Sequence, residues 1–398
     1  MPKTILFATF SLWMKGKRTP INGMIEPLFS YFSSKKVNVD LIDGLHPGSS
    51  DVITIFEEGK RTSISWMSKV LSPILWLQNK NAFQPSFKFR DFFAVFEWFI
   101  RSGKTYDLFI GLESVYTLSG IIFRSLGRVK GVVYYVSDYS PNRYKNTLLN
   151  FLYLWLDRFC ATHADFIWDV SKAFQPARII AGINKNRMKP LIHVPNALFP
   201  NQICPLPATS RIPYSLVYAG TLNIWNGPDT AVEAMGFVRK KFPKASLHVY
   251  GTNGKDQARV EEVIKRLNLK GAISFHGFIG DVVKLSRFIN HYMLGLAPYR
   301  ILSGSHRAYG DATKLRLYMG AGLPILTTQV PPLGKEIYDF GGGIICKDDS
   351  KELAKQIIRI FSDTALYKKL VTKAREFARK NTWKNTYDIA FSKMFNDK

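Results

Sequence analysis

Four prolines, at 200, 205, 207 and 213, fall within residues 199–213, and the same pattern begins on each side of them. Proline at that density interrupts regular structure and marks a linker. Each flanking block alternates short apolar runs with segments of helical length, the order that builds a parallel sheet covered by helices. The chain is therefore expected to be α/β, with two successive doubly wound domains, for which 398 residues are ample. In the first block the spacing predicts strands at 4–9, 37–43, 107–112, 132–137, 166–170 and 191–194. In the second it predicts strands at 215–219, 246–250, 273–276, 293–297, 325–328 and 343–346, with helices starting near Pro228, Lys255, Asp281, Ala312 and Gly334. Residues 350–395 read as mostly helical.

A doubly wound sheet gathers ligands at the carboxyl ends of its strands. Tyr309 to Thr328, YGDATKLRLYMGAGLPILTT, reads as loop, short helix, tight exit and buried strand. Asp311 or Thr313 is placed to cap the helix. Leu315, Tyr318 and Met319 fall at i, i+3 and i+4 and make one buried stripe. Gly322 suits a left-handed exit. Lys314 stands in the first turn, where backbone N–H groups and the helix dipole favour a diphosphate. In the first block Asp138 follows the strand 132–137 and sets a carboxylate at a carboxyl end. It can serve a ligand site there, or simply close the turn Ser137-Asp138-Tyr139-Ser140-Pro141. The helix expected over 143–164 carries Leu148, Leu149, Leu152, Trp155, Leu156 and Phe159 on its apolar side.

The formal net charge of +25 divides into +11 over residues 1–200 and +14 over 201–398. Charge spread in this way favours anionic partners: nucleotide phosphates, an acidic bilayer or nucleic acid. No nucleic-acid module is visible and the charge is not clustered, which sets nucleic acid aside. Residues 51–103 are less regular and interleave aromatics with Lys69, Lys80, Lys88, Arg90 and Arg101. A basic, aromatic helix of that kind can lie in an anionic membrane interface or pack as core. Cys160, Cys204 and Cys346 share no metal-like spacing and fit a reducing compartment. Residues 4–14 are apolar, but Lys15, Lys17 and Arg18 follow with no small-residue cleavage site, so they read as a strand and not a leader. No run reaches membrane-spanning length. The expected location is the cytoplasm, with the inner membrane face as a surface for peripheral attachment.

Tyr218-Ala219-Gly220-Thr221-Leu222 resembles the "Y-x-G-x-L" of the retaining GT-B glycosyltransferases of family four, glycosyl transferases group one. Leu247 to Gly251, Ile273 to Gly277 and Leu296-Ala297-Pro298 resemble that family's next three strand ends. Lys314-Leu315 through Tyr318, then Ala321-Gly322-Leu323-Pro324, resemble its "K-L-x-E-Y-x-A-x-G-x-P". Asp165 to Ser171 and Pro195-Asn196-Ala197 resemble its "A-D-x-x-x-x-x-S" and "P-N-G". Four departures stand out. Leu317 replaces a ribose-contacting glutamate, and Thr221 and Asn226 replace two cations. The first-loop glycine pair is missing, leaving Gly16 and Gly23. An upstream glutamate has no counterpart, with Asp311 the nearest acid.

The resemblance implies two Rossmann-like domains facing across a cleft: an acceptor-side domain over 1–205, a nucleotide-sugar domain over 206–380, and a closing helix over 381–398 returning to the first. It implies transfer from a nucleotide-diphosphate sugar to a glycan or lipid-linked acceptor, with retention, in cell-surface polysaccharide or glycolipid synthesis. The leaving phosphate serves as base. No cofactor beyond the sugar donor and no metal are implied, and no D-x-D motif occurs. The expected catalytic residues are Asp138 and Lys314. The expected donor site is Gly23, Gly220, Thr221, Asn226, Gly251, Phe278, Arg300, Asp311, Thr313 and Leu315. Gly220-Thr221 backbone groups cradle phosphate, Phe278 packs on the base, and Arg300 and Arg307 replace the missing cations. Leu317, Thr221 and Asn226 keep open a non-catalytic GT-B subunit that binds the nucleotide sugar.

Overall fold

The computed structural model describes residues 2–14, 17–19, 24–45, 53–58, 60–67, 69–70, 84–251, 254, 256–302 and 305–395. It divides into two units, Met1–Asn196 with Thr386–Lys398, and Ala197–Asn385. The division precedes residue 205 because the proline-rich strap packs on the second unit. Leu198 joins that unit's core, the Cys204 N–H donates to Gly320 O at 3.0 Å, and Arg211 Nη2 donates to Gly322 O at 2.8 Å.

In the first unit the strands are β1 (Thr4–Met14), β2 (Lys17–Thr19), β3 (Asn38–Leu45), β4 (Thr54–Glu57), β5 (Lys60–Ile64), β6 (Tyr106–Leu112), β7 (Val129–Val136), β8 (Phe166–Asp169) and β9 (Leu191–His193). They run in the order β5-β4-β3-β1-β6-β7-β8-β9, with β2 turned back on β1. From β3 to β9 the pairing is parallel, while β4 and β5 add an antiparallel edge. The first strand lies between β3 and β6, so the winding reverses there. Val132 to Val136 and Leu6 to Ala8 are buried throughout, as strands covered on both faces require.

The helix Gln84–Ser102 crosses the region expected to be irregular and divides its aromatics. Trp98 and Phe99 are buried, with Phe99 stacked on Phe123 at 3.8 Å, while Phe89, Phe93 and Ile100 are exposed. The helix Thr147–His163 corrects the expected apolar side. It buries Asp157, Cys160 and Ala161 and leaves Leu148, Phe151, Leu152 and Trp155 exposed. The cause is an ion pair. Arg178 is fully buried and donates to Asp157 at 3.0 Å and to Asp169 at 2.7 Å; the Tyr134 hydroxyl adds a bond of 2.7 Å to Asp157. A buried charge held this way fixes which side of the helix faces in.

The second unit is a parallel sheet in the order β12-β11-β10-β13-β14-β15. Its strands are β10 (Ser215–Ala219), β11 (Ser246–Tyr250), β12 (Ile273–Phe275), β13 (Leu294–Ala297), β14 (Ile325–Thr327) and β15 (Gly343–Ile345). Alternation along β10 sends Leu216 and Tyr218 into one apolar cluster and Val217 and Ala219 into the other. The reversal of winding falls between β10 and β13. The closing helix Trp383–Phe395 carries Tyr387 and Phe391 into the first unit's core, where Phe391 meets Tyr31 at 5.7 Å and Trp168 at 5.2 Å.

Replacing Arg178 with Met leaves two carboxylates buried beside Tyr134. Arg178→Met is expected to lower unfolding free energy by about 3–5 kcal/mol, read from a urea or guanidinium midpoint; a loss below about 1 kcal/mol would show that the pair adds little.

Candidate functional site

In the second unit the ends of β10 and β13 diverge, and the helix Thr313–Gly320 points its first turn at the gap. Lys314 reaches back over it. Its Nζ lies 4.8 Å from the ring centres of both Tyr218 and Tyr299 and has no hydrogen-bond partner among the described residues. Two aromatic faces make a buried ammonium tolerable without neutralising it. Burial, with the Arg307 cation nearby, pushes the amine down to about 7. The Arg307 Nε is likewise buried without a partner among the described residues. An unpartnered ammonium and a guanidinium whose Nε is unpartnered, beside a helix N-terminus with no side-chain cap, are a seat for an anion.

Gly220 makes the room. It has φ +151°, and a Cβ there would stand 2.7 Å from Lys314 Nζ. Its N–H does not cradle phosphate, because it donates to Tyr250 O at 2.8 Å. The Gly251 N–H is taken by Gly277 O at 2.9 Å, and a Cβ on Gly251 would collide with the carbonyl of Gly220. These glycines contribute close approach of two loops rather than donors. Thr221 is exposed, and its carbonyl accepts from Asn226 Nδ2 at 3.0 Å, so the buried Asn226 holds the loop together. Phe278 is exposed just beyond the end of β12, with its ring free to stack.

Other expected donor residues have different work. Asp311 does not cap the helix: Ala312 is the N-cap, and both oxygens of Asp311 accept from Arg316 at 3.1 Å. Thr313 is exposed in the first turn and makes no cap bond. Leu315 is fully buried in the core, so its side chain cannot touch a donor. Arg300 pairs with Asp348 at 2.9 Å and Asp229 at 3.5 Å, which spends its charge inside the unit. Leu317, in place of the family's glutamate, is also buried. Gly16 and Gly23 lie outside the described residues. Among those described, no group of three His, Cys, Asp or Glu is placed to hold a metal.

In the first unit Asp138 follows β7, half exposed, and accepts from Arg143 at 2.8 Å. Its loop is fixed by a residue the sequence reading missed. Glu113, immediately after β6, accepts from the Ser137 N–H and hydroxyl at 3.0 and 2.6 Å and from the Asp138 N–H at 3.2 Å. Burial raises its carboxyl above the usual range, and its φ of +66° is strained for a non-glycine residue. Position at a strand end, the logic that singled out Asp138, would have found it. Tyr218 and Tyr299 gave no such signal, since aromatics ending buried strands look like core.

Residues 213–363 match the family model described as Glycosyl transferases group 1. No curated protein sequence matches the chain. Among solved structures, sucrose-phosphate synthase from Thermosynechococcus elongatus is similar with a TM-score of 0.72 at 16% identity, covering 100% of both chains. Anabaena Alr3699/HepE in complex with UDP-glucose gives 0.64 at 16% identity over 98% of this chain and 99% of that one. WaaG, a glycosyltransferase involved in lipopolysaccharide biosynthesis, gives 0.61 at 14% identity over 98% and 99%. The chain has the GT-B fold. The match to the group 1 glycosyltransferases is confined to residues 213–363, the second unit's sheet and its helices.

A dianion bound at Lys314 holds the amine protonated and raises its pKa, so binding above about pH 7 takes up a proton. Nucleoside-diphosphate affinity is expected to fall as pH rises beyond about 7, by up to about tenfold per unit. Lys314→Met should abolish that slope and the proton uptake seen by calorimetry in buffers of different ionisation enthalpy. A wild-type affinity flat from pH 7 to 9 would place the anion elsewhere.

Proposed function

We propose that the chain is a glycosyltransferase that moves a sugar from a nucleoside-diphosphate sugar to a glycan or lipid-linked acceptor with retention of configuration. The observation that carries the reading is the buried, unpartnered amine of Lys314 above Gly220. A departing diphosphate gains negative charge as the anomeric C–O bond breaks, and preorganised cations at that point lower the barrier. Lys314, Arg307 and the first turn of Thr313–Gly320 meet that charge, and a phosphate oxygen takes the acceptor proton, so no protein nucleophile is required. HepE binds UDP-glucose, which makes uridine nucleotides the first donors to test. The three cysteines are free thiols, which supports action on the cytoplasmic side.

Asp138 is the acceptor-side carboxylate in this reading, and Glu113 and Arg143 position it. A second reading, a subunit that binds nucleotide sugar without transferring it, is favoured by Leu317, which offers no acceptor for a ribose hydroxyl.

The two separate in one set of measurements. UDP, GDP and ADP are screened by thermal shift, and transfer from the matching sugar nucleotide is then assayed. Asp138→Asn should leave nucleotide binding intact and cut transfer at least about tenfold, about 1.4 kcal/mol of barrier. Near-normal turnover makes Asp138 a turn residue; binding without any transfer or donor hydrolysis by the wild type favours the subunit.

A further inference from the structure

The helix Thr147–His163 leaves a stripe of large apolar side chains uncovered. Leu148, Phe151, Leu152 and Trp155 are 65%, 63%, 48% and 52% exposed, at i, i+3, i+4 and i+7. Trp155 stacks on Phe159 at 5.9 Å and Phe159 on His163 at 4.1 Å, so the stripe continues as an aromatic ledge. Ile180 is exposed on the adjoining segment, next to Ala181, whose carbonyl accepts from Arg158 Nη2 at 3.2 Å. Single exposed apolar residues need no explanation, but a contiguous set of this size marks a docking face.

The surrounding charge identifies what docks. Across residues 141–200 the acids are Asp157, Asp165 and Asp169. Arg178 binds two of them inside the unit, and Arg124 pairs with Asp165. The exposed charges are Arg143, Lys145, Arg158, Lys172, Lys185, Arg187 and Lys189, all cations, with Arg143 paired to Asp138. The Lys189 N–H donates to Ala161 O at 3.0 Å, which ties that residue to the end of the helix. A second copy of the chain is a poor occupant, because a two-fold contact would set these cations against their own images while the nearby exposed acids, Asp138 and Asp165, are already paired within the unit. An aromatic, apolar stripe rimmed by cations suits the interface of an anionic bilayer, where the rings enter the acyl boundary and the cations meet phosphate.

We propose that the outer face of Thr147–His163 docks the first unit on an anionic phospholipid membrane, with Leu148, Phe151, Leu152 and Trp155 inserted and Lys145, Arg158 and Lys189 at the headgroups. Among the described residues no helix is long and apolar enough to cross a membrane, so the attachment is a surface one. The inference goes beyond the proposed reaction and is tested by binding alone, so either can fail without the other.

The experiment is co-sedimentation of the full chain with vesicles of phosphatidylglycerol and phosphatidylcholine, and with phosphatidylcholine alone. Binding is expected to the anionic vesicles only and to weaken as salt rises. The double variant Phe151→Gln, Trp155→Gln should lower partitioning about tenfold or more with an unchanged melting temperature. Leu148→Gln with Leu152→Gln should do so independently, guarding against a folding effect in one pair. The proposal is overturned by no binding at low salt, by variants that bind as the wild type does, or by a dimer in sedimentation velocity that Phe151→Gln with Trp155→Gln splits.

Discussion

The hydroxyl of Tyr318 stands where β10 and β13 part. Backbone pairing between the two strands ends at Tyr218 and Leu296. Beyond it the phenol accepts the Ala219 N–H at 2.7 Å and donates to Leu296 O at 3.0 Å. The ring needs the space that Gly295 leaves, since a Cβ there would lie 2.5 Å from it. Burial keeps the phenol neutral at any physiological pH, so it remains a donor. Lys314 lies one turn earlier on the same helix, and the Tyr318 anchor sets the height and rotation at which its amine crosses Tyr218 and Tyr299. The position of the candidate anion seat thus derives from one side chain bridging two diverging strands.

The two units treat a buried cation in opposite ways. Arg178 is enclosed with two carboxylates, and a guanidinium stays charged in any surroundings, so the cluster is permanent architecture. Lys314 has aromatic faces and, among the described residues, no hydrogen-bonded acid, and a lysine in that setting yields its proton near neutrality. The same physical expense, taking charge out of water, locks a helix in one unit and leaves a site responsive to an arriving anion in the other.

Much of the architecture was legible in the sequence because parallel strands covered on both faces are short, apolar and often end in glycine. Every strand of the second sheet falls within a residue or so of its expected place. β4 and β5 were not legible: an antiparallel edge exposed on one side tolerates Lys60, Arg61 and Thr62, so no apolar run betrays it. Lys314 could be singled out because a lysine in a first turn is a local pattern. Asp311, Arg300 and Leu315 could not be sorted from it, since partners such as Arg316 and Asp348 decide whether a charge is spent, and burial decides whether a side chain is available. The helix Thr147–His163 misled for a related reason. Its periodicity shows an apolar stripe but not which way the stripe faces, and that was settled by Arg178, outside the helix, drawing Asp157 inward.

The return of the final helix has a consequence for how the polypeptide matures. Tyr387, Phe391 and Met394 are core residues of a unit that otherwise ends at Asn196. While a ribosome is still making the intervening 189 residues, from Ala197 to Asn385, the first unit has Tyr31 and Trp168 without their aromatic cover. The nascent amino-terminal half therefore waits, apolar surface open, for residues 386–395 to emerge. Completion of its core depends on residues that are made after the whole of the second unit, which can therefore fold first.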